Sequence, residues 1–434
     1  MNDEAKGILQ AQPPSVDVLA LHGGPPVIAD QPTPVARWGG EELANLSDMV
    51  GQNSLFYWKG PQTEKLIEKF RAHYPLKHLM PCSSGTAAVH VALAAAGIAP
   101  GDEVIVPPIT DMGSLIGILF QQAVPVFADL EPWSYNLDPK DVALKVTKRT
   151  KAIVAVHLLG NPCRIERLRE IADEHNLILI EDCAQAWGAT ANGRPVGTFG
   201  HLACFSFNDY KHVSCGEGGM VASNDDELAG PLQKFCDKGY DRIQRSRLSA
   251  ILAANYRISE PQSAVAAAQM DKMPAFTERY HQVGDLIARG IANLPGVQPL
   301  LADPDDKATY FVSAFRLDLT MFACDRVEFV QALAAEGVFA QPGLLAMPIY
   351  KYPVFQNHNF FAGTWPIRDF GMTTMDYTKV CCPVAEEIID TMVTLEIHQG
   401  MDDTYAEGVA RSIKKVAQYY FRIPEQENAS GATF

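Results

Sequence analysis

From about residue 82 onward, hydrophobic and polar positions follow two alternating periods. Short runs rich in β-branched residues predict strands, and apolar residues spaced three and four apart predict helices. The predicted strands are DEVIVP, VPVFADL, KAIVAVHLLG, LILIEDC and GGMVASN. The predicted helices between them are GTAAVHVALAAAG, SLIGILFQQA, DPKDVALKV and RIERLREIADEHN. This alternation predicts an α/β fold with a mostly parallel sheet that helices cover on both faces.

The flanking regions follow different patterns. Residues 1–38 are rich in Pro and Gly and predict an extended arm, after which GEELANLSDMVGQ and PQTEKLIEKFRAHY predict helices. A long helical region begins at SEPQSAV, and beyond about residue 290 FVSAFRLDL predicts a strand and DRVEFVQALAAEG a helix. We therefore expect an arm (1–38), a large domain (39–275), a small α+β domain (276–424) and a disordered tail (425–434).

Composition narrows the classes of partner. The chain has 434 residues, of which 47% are hydrophobic and 20% charged, as in ordinary globular proteins. A net charge of -15 leaves no basic stripe for nucleic acid or an anionic membrane. No run of about 20 apolar residues is present to span a membrane, and the N-terminus lacks the pattern of a signal peptide. Nine scattered cysteines, an odd number, favour a reducing compartment, so we expect a cytoplasmic protein without a metal site.

A first cluster of polar residues precedes the alanine-rich helix in PCSSGTAAVH. Ligands of open α/β sheets bind beyond the carboxyl ends of the strands, where this cluster is expected. A helix N-terminus offers free N–H groups and the positive end of the helix dipole, so Ser84, Gly85 and Thr86 are candidates for binding a phosphate. Ordinary capping of the helix by Ser84 or Thr86 is the alternative interpretation.

Asp182 and Lys211 are the other two candidates. Asp182 ends the apolar strand LILIED, where a carboxylate needs a partner such as a pyridinium N–H, although a helix-capping aspartate has the same position. Lys211, in CFSFNDYKHVSCGEGG, is either a solvated loop lysine or a buried lysine whose lowered pKa suits a Schiff base. A phosphate cup, a strand-end aspartate and a lysine in this order predict a site for pyridoxal 5'-phosphate.

Several longer segments resemble one enzyme family. SSGTAAVHVAL, VIVPPIT, IEDCAQAWGA, FSFNDYKHVSCGEGGMV and NYRISEPQSAVAAAQM are similar to segments of the DegT–DnrJ–StrS sugar aminotransferases, and the similarity runs from about residue 40 to 420. The resemblance implies a fold-type I enzyme dependent on pyridoxal phosphate, similar to aspartate aminotransferase. It also implies a large domain with a mostly parallel seven-stranded sheet and a smaller α+β C-terminal domain.

The resemblance assigns roles to individual residues. Lys211 would form the Schiff base, and Asp182 would pair with the pyridine nitrogen. Further cofactor contacts would be Ser84, Gly85, Thr86, Gln185 and Ser206. Asn255 would reach the cofactor phosphate of the neighbouring subunit, so the expected assembly is a homodimer with shared active sites.

The substrate side is less clearly assigned. Where the family carries an aromatic residue that stacks on the cofactor ring, this chain has Asp111, followed by Met112. Either Met112 covers the ring or Asp111 faces the substrate. Candidate substrate contacts are Tyr57, Trp58, Lys59, Asp111 and His398. Core packing is the alternative for Tyr57 and Trp58, and a structural role is the alternative for His398.

The expected function is transamination in amino-sugar or aminocyclitol biosynthesis, for an antibiotic or a polysaccharide. Glutamate or glutamine would give its amino group to the cofactor, whose pyridoxamine form would aminate the ketone of a small-molecule sugar or cyclitol. Two alternatives keep the same fold. A dehydratase of this family has histidine in place of the lysine, and a non-catalytic regulator would lack the lysine or the aspartate, whereas Lys211 and Asp182 are both present.

Overall fold

The computed structural model describes residues 17–33 and 35–422. Its strands are β1 (His78–Cys82), β2 (Glu103–Val106), β3 (Val124–Phe127), β4 (Thr150–Val156), β5 (Ile178–Asp182), β6 (Thr190–Ala191), β7 (Arg194–Pro195), β8 (Leu202–Ser206), β9 (Gly219–Ser223), β10 (Val297–Pro299), β11 (Ser313–Leu317), β12 (Ala340–Gln341) and β13 (Met392–Leu395). Its α-helices are α1 (Gly40–Val50), α2 (Pro61–His73), α3 (Gly85–Ala95), α4 (Ile116–Phe120), α5 (Pro139–Lys145), α6 (Ile165–Glu174), α7 (Asp226–Ala229), α8 (Leu232–Cys236), α9 (Glu260–Ile291), α10 (Arg326–Ala335), α11 (Pro353–Gln356), α12 (Pro366–Asp369), α13 (Pro383–Thr391) and α14 (Asp403–Tyr420).

Seven strands form the large sheet, in the order β1-β9-β8-β5-β4-β2-β3. The pairs β2–β3, β2–β4, β4–β5 and β5–β8 are parallel, and β9 runs antiparallel to both of its neighbours. Strands β2, β3, β8 and β9 are buried at every residue, which explains why they appear in the sequence as continuous apolar runs. The expected mostly parallel seven-stranded sheet is therefore confirmed.

A second sheet forms the smaller unit of the fold. It has four strands in the order β10-β11-β13-β12, and all of its pairs are antiparallel. The long helix α9 joins the two hydrophobic cores, because Ala266 and Met270 pack into the core of the large sheet, whereas Val283 and Ile287 pack into the core of the small one. The domain boundary expected at residue 275 thus falls inside one continuous helix, and the division remains a prediction.

The described part of the N-terminal arm lies against the small unit. Leu19 and Ile28 are buried in its core, and the Ile28 amide donates to the carbonyl of Glu336. The Glu336 carboxylate accepts from the amides of Ala20 and Val27. These bonds explain how a Pro- and Gly-rich segment, whose described part has one short 3-10 helix at Ala20–His22, is held against the small unit. The expected tail at 425–434 lies outside the described residues.

The sequence pattern did not predict every element. Strand β1 was missed because it is short, contains Pro81 and pairs only with β9. Strands β10, β12 and β13 were also missed, since each has only two to four residues. All nine cysteines are free thiols, and all except Cys215 and Cys381 are buried. Among the described residues, no helix combines the length and the apolar character needed to cross a membrane.

Candidate active site

A cavity of about 420 Å³ opens where several strands of the large sheet end. Val156, Asp182 and Ser206 are the last residues of β4, β5 and β8, and all three line it. The chain therefore brings side chains from distant parts of the sequence to one edge of the sheet. The residues that line the cavity are Ser84, Gly85, Thr86, Val89, Asp111, Gly113, Ser114, Val156, Asp182, Ala184, Gln185, Ser206, Asn208, Tyr210, Lys211 and Glu217.

The N-terminus of α3 forms one end of the cavity. The Ser84 hydroxyl caps this helix by accepting from the amide of Ala87 at 3.0 Å. The amides of Gly85 and Thr86 are in the first turn, where no carbonyl of the same helix accepts from them. A Cβ atom on Gly85 would lie 2.7 Å from the Cβ of Ser206, so only glycine fits here. The helix end thus presents free N–H donors to an anion.

Gly219 allows β9 to pass close to this helix end. A Cβ atom at this position would lie 2.2 Å from the carbonyl oxygen of Ser84 and 2.9 Å from the amide nitrogen of Gly85. A larger residue would therefore displace the helix terminus from the sheet. The glycine cluster after Lys211 is explained in part by this contact with the phosphate-binding candidate, in addition to the positive φ of 84° at Gly216.

Asp182 is a buried carboxylate at the centre of the cavity wall. Its Oδ2 accepts from the Ser114 hydroxyl at 2.7 Å, and its Oδ1 accepts from the Ala184 amide at 3.1 Å. Burial raises the pKa of Asp182, although these two hydrogen bonds and the charge of Lys211 act in the opposite direction. A cationic N–H donor in the cavity would stabilise the carboxylate further.

Lys211 lies in the loop between β8 and β9, and its side chain points into the same cavity. Its Nζ lies 4.3 Å from the centroid of the Phe311 ring. Burial lowers the pKa of Lys211, and the negative charges of Asp182 and Asp111 partly offset this effect. A lysine with a lowered pKa has more of the neutral amine that attacks carbonyl groups.

Gln185 faces the cavity with its amide nitrogen available. Its Oε1 accepts from the backbone amide of Leu159 at 2.8 Å. Because this bond fixes which end of the amide is the oxygen, the Nε2 group is left as a donor. Leu159 has a φ of 57°, which is unusual for a branched residue, so this contact depends on a strained turn after β4.

The comparisons with known proteins agree with this geometry. Residues 38–414 match the sequence model of the DegT/DnrJ/EryC1/StrS aminotransferase family. The chain belongs to this family. Its relatives include the L-glutamine:2-deoxy-scyllo-inosose aminotransferase of Micromonospora echinospora, which is 30% identical over 421 residues, covering 92% of this chain and 97% of the relative. GDP-perosamine synthase of Escherichia coli O157:H7 is 34% identical over 297 residues, covering 68% and 79% of the two chains.

Solved structures show the same architecture. An aminotransferase from Psychrobacter cryohalolentis superposes with a TM-score of 0.79 at 27% identity, covering 90% of this chain and all of the other. DesI, solved in the presence of its TDP-sugar product, superposes with a TM-score of 0.76 at 27% identity, covering 93% and 97% of the two chains. The protein is thus a sugar aminotransferase of the DegT/DnrJ/EryC1/StrS family with the fold-type I architecture, and membership of this family implies dependence on pyridoxal phosphate.

Of the other candidate residues of this aminotransferase, only Asp111 lines the cavity. Met112 packs, partly buried, against the large core and is not among the cavity-lining residues, so the cavity-lining member of this pair is Asp111. In the small unit, His398 accepts from the amide of Gly400 at 3.1 Å. The backbone of Gly400 in turn approaches the carbonyl oxygen of Thr33. His398 does not line the cavity of its own chain, and both a substrate contact and a structural role stay predictions for it.

Four further candidates also do not line the cavity of their own chain, namely Tyr57, Trp58, Lys59 and Asn255. Tyr57 is buried, and its hydroxyl donates to the Asp237 carboxylate at 2.9 Å. Asp237 also forms a β-bridge with Asn255, whose side chain is exposed. Trp58 packs against the large core, and Lys59 is exposed with a φ of 57°.

Sequence reasoning missed several lining residues. Ser114 was not proposed, although it lies in the unusual TDMGS segment and its hydroxyl contacts Asp182. Asn208, Tyr210 and Glu217 flank Lys211 and line the cavity. Their nearness to Lys211 in the sequence was the available signal. Val156 gave no signal, because a strand-end valine has the same appearance as any core residue.

Proposed function

We propose that this aminotransferase binds pyridoxal 5'-phosphate in the cavity around Lys211 and transfers an amino group from glutamate or glutamine to the ketone of a sugar or cyclitol. The observation that carries the proposal is the convergence of three chemically different groups on one 420 Å³ cavity. These are the N-terminus of α3, the Asp182 carboxylate and the Lys211 amine.

The donor set of the cavity fits this cofactor. The free amides of Gly85 and Thr86 suit a phosphate, and Ser206 adds a hydroxyl beside them. Burial raises the pKa of the Asp182 carboxyl, and a pyridinium N–H would stabilise its charged form. Gln185 offers an amide donor to the ring, and the Lys211 amine is placed to bind the aldehyde.

The side chains of the cavity would have different roles in the reaction. Bound pyridoxal phosphate supplies an electron sink for a carbanion, which the protein cannot provide itself. Asp182 holds the proton on the ring nitrogen, and Ser114 orients the carboxylate through its hydroxyl. The Lys211 Nζ takes the proton from the α-carbon of the amino donor and returns a proton in the second half of the reaction. The charges of Asp182 and Asp111 keep its pKa from falling further.

The choice of substrates rests on the relatives. The names of several relatives specify L-glutamine as donor and a scyllo-inosose, a cyclitol ketone, as acceptor. Others are GDP-perosamine synthases, whose product name is that of a nucleotide-linked amino sugar. Asp111 is the exposed, cavity-lining candidate for contact with the acceptor. A free sugar, a sugar phosphate, a nucleotide sugar and a cyclitol are therefore the four acceptor classes to test.

We also propose a homodimer with shared active sites and a cytoplasmic location. Asn255 is exposed and does not line the cavity of its own chain. A residue that contacts the cofactor of a neighbouring subunit must be exposed in this way. The same segment carries Ile243, Leu248 and Leu252, whose side chains are 76%, 88% and 98% exposed, and a second copy would bury them. The nine free thiols support a reducing compartment.

Reductive trapping tests the cofactor assignment. Borohydride treatment of the purified enzyme, followed by peptide mapping, should attach the cofactor to the peptide containing Lys211. The variant Lys211→Ala should lose the label and the visible absorbance of the linked cofactor. Lys148→Ala, which changes an exposed lysine outside the cavity, should keep both. A label on a different lysine would refute the assignment.

A second experiment identifies the acceptor. The enzyme is first converted to its pyridoxamine form with glutamine or glutamate, and the better donor is recorded. Keto-cyclitols and keto-sugars, free, phosphorylated or nucleotide-linked, are then added one at a time, and the return of the absorbance of the lysine-linked cofactor is followed. No return with any of these ketones would contradict the proposed acceptor class.

A further inference from the structure

The position of the Lys211 amine depends on a loop that is neither a helix nor a strand. This loop, residues 207–218, joins β8 to β9, and we call it the lysine loop. At its far end, the carbonyl of Glu217 accepts from Gln262 on α9 at 2.7 Å. At the lysine end, the backbone amide of Lys211 donates to the carbonyl of Asn208 at 2.9 Å. On the carbonyl side of Lys211, the buried ring of His212 lies 3.1 Å from the carbonyl oxygen of Thr309, and the Lys211 carbonyl itself accepts from a residue outside the loop.

Arg37, from the N-terminal arm, fixes this side of the lysine loop. One terminal nitrogen of its guanidinium donates to the carbonyl of Asp209 at 2.6 Å, and the other donates to the carbonyl of Lys211. Its Nε donates to the side-chain oxygen of Gln269 at 3.4 Å. A planar guanidinium holds two carbonyls in a fixed relative geometry, which a single point donor cannot do.

Arg37 is itself firmly attached to the long helix α9. Its own carbonyl accepts from Gln269 at 3.0 Å and from the Lys272 ammonium at 3.3 Å. Both of these residues also bind the Glu42 carboxylate, at 2.7 Å each. The lysine loop is therefore connected to α9 through Gln262 at its far end and, through Arg37 at the lysine end, to both α1 and α9.

The Arg37 guanidinium directs its hydrogen bonds to neutral oxygens while it is half-buried. Burial lowers the pKa of Arg37. Burial also lowers the pKa of the neighbouring His212 to about 4, with smaller contributions from the charges of Lys211 and Arg37. Partial burial of a cation costs free energy, which these contacts with carbonyls offset only in part. A role in positioning the loop would explain why an arginine is kept at this place.

We infer that Arg37 is a positioning residue that holds the Lys211 backbone, so that its amine reaches the cofactor and the reacting proton. This inference rests on the proposed function of Lys211. It assigns the N-terminal arm a part in the active site, although Arg37 does not line the cavity. Displacement of a catalytic group by about 1 Å costs up to about a hundredfold in rate, which sets the scale of the expected effect.

The test separates cofactor binding from the chemistry of the lysine. Arg37→Ala, Arg37→Lys and Arg37→Gln are compared with Arg71→Ala, because Arg71 also donates to a backbone carbonyl, that of Lys77, but at the exposed surface. In cofactor-free enzyme, the affinity for pyridoxamine 5'-phosphate, which makes no covalent bond, should stay within about threefold of wild type. The rate at which added pyridoxal 5'-phosphate becomes linked to Lys211 should fall about tenfold or more in Arg37→Ala.

Two more readouts exclude a purely structural role. Amide hydrogen exchange of the peptide covering the lysine loop should accelerate in Arg37→Ala, whereas peptides of the large sheet should be unchanged. Guanidinium ion at low millimolar concentration should restore part of the linkage rate in Arg37→Ala, and no rescue should occur in Lys211→Ala. Arg37→Lys should remain slow, because a lysine cannot hold both carbonyls.

Different failures have different meanings. A wild-type linkage rate in Arg37→Ala would overturn the inference, as would an equal loss of pyridoxamine 5'-phosphate binding and linkage without rescue by guanidinium. If Arg37→Ala does not fold, Arg37→Lys and Arg37→Gln decide in the same way. Failure of borohydride to label Lys211 in the wild-type enzyme would instead refute the proposed function, independently of Arg37.

Discussion

The cavity around Lys211 and the segment around Asn255 differ in the direction in which their polar side chains face. In the cavity, buried polar groups at strand ends contact one another and leave donors facing inward. In the Asn255 segment, the buried Asp237 carboxylate binds Tyr57, Arg242 and Arg257, and this network fixes a backbone whose side chains face outward. One region encloses a space, and the other presents a surface.

This difference explains where reasoning from the sequence succeeded. Residues around the cavity follow strands of one sheet, so the order of the elements was enough to bring them together. Tyr57 and Asn255 have no such relation to the cavity of their own chain, and their role was inferred only from the resemblance. A single chain cannot bring Asn255 to the phosphate of a neighbouring subunit. The oligomeric state is therefore the central question for the segment around Asn255.

The largest expected effect concerns Asp182. Replacement by Asn keeps the shape and the contact with Ser114 but removes the negative charge that would keep the ring nitrogen protonated. Turnover should fall roughly 100- to 1000-fold, the range found for single preorganised electrostatic contacts. Steady-state kinetics and the thermal midpoint measured on the same sample check this, and turnover within tenfold of wild type would rule out the assigned role.

The neighbouring carboxylate provides the matched control. Glu181 faces away from the cavity and accepts from the amides of Gly197 and Phe199, each at 2.7 Å, and from His157 at 3.1 Å. Glu181→Gln should lower the free energy of unfolding by about 1.5–3 kcal/mol, because charged hydrogen bonds are lost in the core. Chemical denaturation should therefore show a loss of stability in Glu181→Gln. Steady-state kinetics should show a loss of turnover in Asp182→Asn.

The outward-facing region is tested by complementation. In a dimer with shared sites, mixing Lys211→Ala with Asn255→Ala produces a mixed dimer in which one site carries both defects and the other carries neither. Random exchange should restore up to about one quarter of wild-type activity, because half of the dimers are mixed and each has one intact site. Asn255→Ala alone should lose about 1–3 kcal/mol of transition-state stabilisation, as for one phosphate contact.

The control for this experiment is the same mixture before exchange, when both proteins are still homodimers. Sedimentation must show that subunits exchange, and the activity must rise at the rate of exchange. Two outcomes would contradict the shared site: an active monomer at the assay concentration, or proven subunit exchange without any recovery of activity. Either would show that Asn255 is not part of a neighbouring active site.

The limits of sequence reasoning have physical causes in particular residues. The local sequence was enough to predict three parts of the site, namely Lys211, Asp182 and the N-terminus of α3. Each has a side chain or helix end of characteristic chemistry and lies at or just after the end of a strand. Ser114 was not predictable, since its contact with Asp182 depends on a turn that brings residues 68 positions apart to 2.7 Å. Arg37 was not predictable either, because it reaches the lysine loop through the backbone carbonyls of Asp209 and Lys211, and a backbone carbonyl is present at every residue of a sequence.

A moderate effect is expected at Ser114. Ser114→Ala removes a hydrogen bond to the Asp182 carboxylate, so the pKa of Asp182 should rise further and turnover should fall roughly tenfold, equivalent to about 1.4 kcal/mol. Thr110→Val is the matched control, since Thr110 contacts the Ser114 hydroxyl at 2.8 Å but not Asp182. The Thr110 variant should lose less activity, and an equal loss would indicate that the turn as a whole is responsible.

The smallest effect is expected at Asp111, and it appears as a change in pH dependence. The negative charge of Asp111 raises the pKa of Lys211 and opposes burial, so Asp111→Asn should lower that pKa and leave more neutral amine at a given pH. In cofactor-free enzyme, the pH midpoint of acetylation of Lys211, followed by mass spectrometry, should shift downward. Asp209→Asn, which removes an exposed charge only two residues from Lys211, should leave the midpoint closer to that of the wild type. An upward shift in Asp111→Asn, or equal shifts in the two variants, would show that Asp111 does not act on the amine from inside the cavity.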